Sequence, residues 1–440
     1  MNNKPIVVGA GLAGVEAAWQ LAKNGYEVDL YEMRPVKFSP AHKTEKYAEL
    51  VCSNSLKAMR KESAAGMLKE EMRLFGSLCM ECAEKSRVPA GGALAVDREK
   101  FSFLITEKIE NEKLINVIHE EVTSIPDGDI VIVAAGPLAS DALAEDIKKS
   151  FGDSLSFFDA AAPIVSGESI DMQNAFCQSR YDRGGEDDYI NCPMSKEEYE
   201  AFYEALINAE KAELHEFEKN KKVYEGCMPI EVLASRGMDT MRFGPMKPVG
   251  LTDPHTGHRP WAVLQLRKEN VSAKAYNLVG FQTNLKFSEQ KRVFSMIPAL
   301  KNAEFLRYGV MHRNTFLNSP KILDSSFMVK KRKGLFFAGQ ITGVEGYMES
   351  ASSGIMAGLN AVRLLKNKEK IVLPPESMIG ALSGYISNEA VEDFQPMGAN
   401  FGVLPPLQEK IRDKKMRYAA LSQRGLDMVR KQVEELNSEV

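Results

Sequence analysis

Val7-Val8-Gly9-Ala10-Gly11-Leu12-Ala13-Gly14-Val15-Glu16-Ala17-Ala18 reads as the end of a strand, a glycine-rich turn and the start of a helix. Glu32 closes the next strand-like run, Tyr26-Glu27-Val28-Asp29-Leu30-Tyr31. That order is the fingerprint of a dinucleotide-binding strand–helix–strand unit. Gly9 makes the tight turn, Gly11 lets the backbone approach a pyrophosphate, and Gly14 lets the helix lie close to the strand. Phosphates then meet the helix N-terminus, where unpaired N–H groups and the dipole favour anions. Glu32, roughly 20 residues further on, reaches a ribose hydroxyl, and its charge disfavours a 2′-phosphate, so NADP does not suit this pocket. The plainer alternative is an ordinary strand–helix turn; the strand, spacing, helix and acid together weigh against it.

A chain of 440 residues is too long for one ordinary core, so two or three domains are expected. Its 56 basic and 60 acidic residues leave a formal charge of −4, and a nucleic-acid partner would have to use a local patch. No apolar run approaches the ~20 residues of a membrane span, and the first strand starts with no signal peptide before it, so a cytoplasmic protein is expected. Six cysteines are too sparse for a disulfide scaffold, and reduced thiols are expected. Cys79 and Cys82 form a C-x-x-C in a stretch that reads as one helix, Ala64 to Ser86. No second pair completes a zinc site, so these read as buried or half-buried thiols and no metal is expected.

The first unit runs to about Arg34; a non-repetitive stretch follows to Val51, then helix. Asp129-Ile130-Val131-Ile132-Val133-Ala134-Ala135-Gly136-Pro137 and Gly334-Leu335-Phe336-Phe337-Ala338-Gly339-Gln340 are buried apolar runs that belong to the same parallel sheet. The second leads through Gly343 and Gly346 into a small-residue helix, Ser350 to Leu365, with Gly354 and Gly358 on its contact face. Between them lie other strand-like runs, Pro260 to Leu266 and Tyr276 to Phe281. The division expected is 1–154 and 321–440 as two parts of one domain, the second with a basic C-terminal helix, and 155–320 inserted between them.

A second glycine-rich strand-turn beside a helix suits a long cofactor. The fingerprint holds the AMP half, and Gly339, Gly346 and Gly354 reach the pyrophosphate and flavin end, so FAD fits better than NAD. The alternative for that segment is tight helix contact alone. The fold class expected is therefore α/β: an FAD-binding, Rossmann-like domain of the glutathione-reductase type with an inserted α+β domain. No second Gly-x-Gly-x-x-Gly exists, so a nicotinamide would visit the flavin transiently.

Longer runs carry a resemblance. Glu32-Met33-Arg34-Pro35, Ala48-Glu49-Leu50-Val51-Cys52-Ser53-Asn54-Ser55 and Pro89-Ala90-Gly91-Gly92-Ala93-Leu94-Ala95-Val96-Asp97-Arg98 are among them. So are Glu225-Gly226-Cys227-Met228-Pro229-Ile230-Glu231, Phe243 to Leu251, Tyr308 to Thr315 and Gly339 to Tyr347. With the fingerprint they span the chain, and together they resemble the folate- and flavin-dependent tRNA (uracil-5-)-methyltransferase family. The resemblance implies conversion of a T-loop uridine to 5-methyluridine, with carbon from methylenetetrahydrofolate and electrons from FAD reduced by NADPH or NADH. Uracil C5 is a poor nucleophile until a thiolate adds at C6; the C5 proton must then leave, and the methylene must be reduced. By resemblance Cys227 is the C6 nucleophile, and Cys52 is the general base or holds the flavin site in shape.

Read without the family, Cys227 is a core thiol, although Gly226 and Pro229 set it in a turn-like segment. Cys52 sits among Ser53, Asn54 and Ser55, unlike a core. Cys192 matches a family cysteine but reads as structural. His312 and Arg313 could meet RNA phosphate or a folate carboxylate, or complete a surface network. RNA needs local positive charge, and Lys410, Arg412, Lys414, Lys415, Arg417, Arg424, Arg430 and Lys431 outnumber Glu409, Asp413 and Asp427 near the C-terminus. Lys330, Lys331, Arg332 and Lys333 form a second cluster; such runs are more often solvated faces.

Other readings stay open at this level. The same chemistry could act on ribosomal RNA. A tRNA wobble-uridine modifier of the glucose-inhibited division type shares the flavin motifs but carries a long helical extension, and only a short stretch follows Leu365 here. A non-catalytic flavoprotein would not need both Cys52 and Cys227, nor would a generic oxidoreductase need the Cys227 segment.

Overall fold

The computed structural model describes residues 4–152, 155–182, 184–185, 187–212 and 228–438, with the backbone alone at 155–159, 182, 312 and 313. Short apolar runs ending in glycine form strands covered on both faces, as a parallel sheet requires. The sheet runs Leu335–Phe337, Val131–Val133, Ile6–Val8, Val28–Glu32, Ile115–His119, every neighbour parallel. Strands from near both ends of the chain thus share one sheet, as the apolar runs predict.

Helix Leu12–Lys23 lies on this sheet, and helix Tyr347–Leu365 lies on Leu12–Lys23. Small residues set that distance. A Cβ built on Gly354 would clash with the carbonyl of Ala13, and one on Gly358 would come 2.8 Å from that of Ala17. Gly14 makes the same approach to the carbonyl of Gly9.

Two local expectations need correction. The stretch Ala64 to Ser86 is two helices, Ala64–Leu74 and Leu78–Lys85. Gly76 adopts φ +68°, which ends the first, and Ser77 caps the second by accepting from Met80 N. The buried Glu16 carboxylate also accepts from Leu78 N and Cys79 N, a cap from a distant helix. Cys79 and Cys82 are buried as expected; burial pushes both thiols up, Cys82 to about 12. No metal-binding group of side chains exists among the described residues. The second correction is at Val51, where a strand, Ser55–Ala58, comes before any helix and pairs antiparallel with Ala93–Val96.

The second large sheet is antiparallel, in the order Phe176–Cys177, Tyr189–Met194, Ala262–Lys268, Ala275–Leu278, Ile164–Ser166, Phe305–Arg307. Leu264, Leu266, Leu278 and Cys192 join a core of their own with Phe202, Phe281 and Phe294. Cys192 is fully buried, its thiol pushed up by burial, in keeping with a structural role. Strands Leu155–Ala160 and Met311–Phe316 pair as a two-stranded ladder where the chain passes between the two sheets. No described helix is long and apolar enough to cross a membrane.

The helix contact predicts a difference between two glycines. Gly354→Ala forces helices Leu12–Lys23 and Tyr347–Leu365 apart, at a cost of about 1–3 kcal/mol, and lowers the thermal midpoint of the ligand-free protein. Gly11→Ala, whose Cβ would meet nothing within 4 Å, leaves that midpoint unchanged. Equal midpoints for the two variants in a thermal melt would contradict this.

Candidate active site

The carboxyl ends of the parallel strands open into a cleft. Gly9, Gly11, Leu12, Ala13, Glu32 and Gly339 line it. Gly9 holds φ +98°, with the Ala134 carbonyl against the place a Cβ would take. Among the described residues nothing lies within 4 Å of a Cβ built on Gly11 and no side chain caps the helix it begins, so its first N–H groups are left for a ligand. A pyrophosphate fits that donor set.

Ala10 is buried and donates its N–H to Glu32 Oε2 at 2.9 Å. Both Glu32 oxygens also accept from Arg34, at 2.9 Å from Nε and 3.2 Å from Nη2. Burial alone would raise the Glu32 carboxyl, but the hydrogen bonds and charge of Arg34 outweigh it and hold the group below its usual range. Glu32 is thus a fixed, ionised acceptor at the cleft wall. Gly14 and Gly354 are not in the wall: they lie behind it, against Gly9 and Ala13.

A second cleft continues from the first through Val51, Pro137, Leu138, Gln340 and Tyr347, which line both. Gly346 lines it and begins helix Tyr347–Leu365, again without a side-chain cap. Lys57 and the buried Glu349 form an ion pair there, 2.7 Å apart. Cys52, half-buried, lines this cleft and also a smaller cavity that reaches the antiparallel sheet at Arg267 and Asn277.

The Cys52 segment has no ladder of its own at Leu50 to Asn54, and side chains from elsewhere hold it. Arg98 donates to the carbonyls of Leu50 and Cys52, at 2.9 and 3.0 Å, and Arg307 to that of Val51, at 2.8 Å. Arg267 bonds Asn54 Oδ1 and Ser53 Oγ. The Tyr347 hydroxyl accepts from Cys52 N and Ser53 N, at 2.8 and 3.2 Å. Glu269 balances Arg98, at 2.5 Å, whereas Arg267 bonds the neutral oxygens of Asn54 and Ser53, so its charge bears on the cavity beside Cys52.

Composition and spacing did not single out these four residues. Arg98 and Tyr347 do stand inside quoted runs, and Arg267 had a signal: Gln265 and Arg267 alternate with Leu264 and Leu266, which puts a charge on the far face of a buried strand.

Cys227 lies outside the described residues, as do the side chains of His312 and Arg313. Three residues past Cys227, Ile230 N donates to the carbonyl of Gln282, which lines both cavities beside Cys52. The basic clusters line neither cleft. Lys330 bonds the Pro320 carbonyl and Glu389, at 2.7 and 2.6 Å, and Lys331 is exposed. Lys414 and Lys415 are exposed at the start of helix Lys414–Ser438, and Lys414 and Arg417 lie against the Tyr418 ring.

Burial pushes the Tyr347 phenol well above its usual range, so it stays protonated and keeps accepting from the two N–H groups. Tyr347→Phe strands them, a local cost of about 1–3 kcal/mol. Hydrogen-exchange protection at Cys52 and Ser53 should fall by roughly tenfold or more; unchanged protection would remove the hydroxyl from this role.

The family model described as "Glucose inhibited division protein A" matches residues 4–369. A protein of Listeria innocua named "Methylenetetrahydrofolate--tRNA-(uracil-5-)-methyltransferase TrmFO" is 59% identical over 437 residues, covering 99% of this chain and 100% of its own length. Proteins of the same name from Enterococcus faecalis and Acetivibrio thermocellus are each 57% identical, over 99% and 97% of this chain and 100% and 98% of theirs. Among solved structures, Aquifex aeolicus GidA in its form I crystal has a TM-score of 0.69 at 18% identity, over 99% of this chain and 78% of that one, a likeness of fold. With a family match over most of its length and full-length relatives at this identity, the chain belongs to the glucose inhibited division protein A family, among its methylenetetrahydrofolate–tRNA-(uracil-5-)-methyltransferase members.

Proposed function

We propose that this chain is the folate- and FAD-dependent methyltransferase that forms 5-methyluridine in the T loop of tRNA. The observation that carries the proposal is the continuous cleft from the fingerprint to Cys52, in a chain whose full-length relatives bear that enzyme's name. The open face of Gly11 and the uncapped helix behind it would receive the pyrophosphate of FAD, and Glu32, fixed by Arg34, its adenosine ribose. Gly339 and Gly346 would border the path to the flavin end. When bound and reduced, FAD supplies the electrons that turn a transferred methylene into a methyl group. The single fingerprint leaves NADPH or NADH to visit the flavin without a domain of its own.

The thiols divide the work on the uracil. Cys227 gives a sulfur lone pair to C6, and the C5=C6 π pair moves onto the O4 enolate, which makes C5 nucleophilic. Once carbon is attached at C5, Cys52 takes the C5 proton or keeps the flavin end of the cleft in register, and when the methyl group is complete the C6–S bond breaks, its pair returning to Cys227 as the C5=C6 bond is restored. Residues 1–154 and 321–440 form the cofactor part in this reading, and 155–320 the part inserted for substrate. Lys330, Lys331, Lys414, Lys415 and Arg417 are the candidate phosphate contacts. The curated names favour tRNA over ribosomal RNA as substrate.

RNA with 5-fluorouridine at the target has no C5 proton to lose, so it should form an adduct with the protein that survives denaturation. Cys227→Ala should abolish the adduct; Cys52→Ala should keep it and lose methylation. The reverse pattern exchanges the two roles, and an adduct in both variants rules out thiol attack by either. The same RNA as ribosomal fragments should give none.

Phosphate contacts release counterions, so affinity for tRNA should fall steeply with added salt despite the net charge of −4. Replacing Lys414, Lys415 and Arg417 with Ala should weaken binding and flatten that slope, with flavin reduction intact. An unchanged slope moves the footprint elsewhere.

A further inference from the structure

The small cavity on the far side of Cys52 has a wall that the cofactor cleft does not explain. Arg267 and Asn277 are opposite partners on adjacent antiparallel strands, so their side chains share one face of the sheet. The other face carries Leu264, Leu266 and Leu278 into the core. A buried sheet face built from a guanidinium and a carboxamide is costly unless each group is bonded. Arg267 is bonded, to Asn54 and Ser53. Asn277 is 3% exposed and lines the cavity, and among the described residues its Nδ2 has no hydrogen-bond partner.

We propose that this cavity takes the target uracil, and that Asn277 reads the carbonyl edge of the base. The proposal rests on the methyltransferase reading above and deepens it. A uracil ring presents two carbonyl acceptors around one N–H donor, and a carboxamide can give its N–H to a carbonyl while its oxygen accepts from the ring N–H. The orphaned Nδ2 thereby gains the partner it lacks. Cys52 lies in the same wall, so a base seated there is also at the end of the cofactor cleft. Arg267 adds positive charge beside the site, which favours the oxyanion that forms on a uracil carbonyl when a thiolate adds at C6. Cytosine carries an amine in place of the O4 carbonyl, so a carboxamide held in the orientation that serves uracil sets donor against donor and disfavours it.

The test uses the full-length holoenzyme and tRNA carrying either 5-fluorouridine or 5-fluorocytidine at the target, with the denaturation-resistant adduct as readout. Wild type should trap the fluorouridine RNA and discriminate against the fluorocytidine RNA. Asn277→Ala should slow trapping of the first by on the order of 10²-fold, with tRNA affinity and flavin reduction retained, because phosphate contacts and the cofactor cleft are elsewhere. Asn277→Asp keeps the shape but replaces the N–H donor with an acceptor, so it should shift preference toward fluorocytidine, an effect that mere loosening of the fold would not produce. Trapping of fluorouridine RNA at the wild-type rate by both variants would overturn the proposal and leave the methyltransferase reading standing. No adduct with wild type itself would overturn both.

Discussion

Five residues of backbone, Leu50 to Asn54, are the constraint around which the site is built. Peptide groups inside a protein need partners, and of these five residues only Asn54 finds one in a strand, its carbonyl accepting from Val96 N. Two arginines take the carbonyls of Leu50, Val51 and Cys52, and one phenol takes the N–H groups of Cys52 and Ser53. Those side chains come from the start of helix Arg98–Glu110, from the edge of the antiparallel sheet and from the start of helix Tyr347–Leu365. Cys52 can therefore be in place only when all of these are in place together. The usual weakness of a loop, its freedom, is removed by charge-assisted bonds to its main chain.

The two sheets contribute opposite kinds of surface. The parallel sheet ends in glycine and bare N–H groups, a setting for an anion that brings its own charge. The antiparallel sheet turns a polar face toward Cys52, with Arg267 supported by Asn54 and Asn277 beside it. Neither surface is a complete site. Their junction at Cys52 joins a long cleft suited to a dinucleotide to a short cavity suited to a base.

Much of the parallel sheet was legible because its signals are local: Gly9, Gly11 and Gly14 act on their immediate neighbours, and buried apolar runs need no partner to be recognised. Glu32 was legible by spacing, but its bond to Arg34 was not, since that reading assigned the carboxylate to a ribose alone. The arginine clamp could not be read, because Arg98, Arg267 and Arg307 are remote from Cys52 in the chain and an arginine's default place is the surface. The helix break at Gly76 was missed for a related reason: the apolar pattern continues across it, and the cap that stabilises the second helix includes Glu16, far away. Asn277 gave no signal at all, since an unbonded amide is a property of the folded interior.

The order of strands along the chain has a consequence for how the protein is made. Synthesis runs from the N-terminus, and all strands of the antiparallel sheet, from Ile164 to Arg307, leave the ribosome before Leu335–Phe337 does. The antiparallel sheet can pair at that stage. The parallel sheet cannot finish: Val131–Val133 still presents an open edge, and the Ala13 and Ala17 face of helix Leu12–Lys23 waits for Gly354 and Gly358. A nascent chain stalled before Leu335 therefore carries an unpaired strand edge and an uncovered apolar helix, the surfaces that chaperones hold and that aggregate when they are not held.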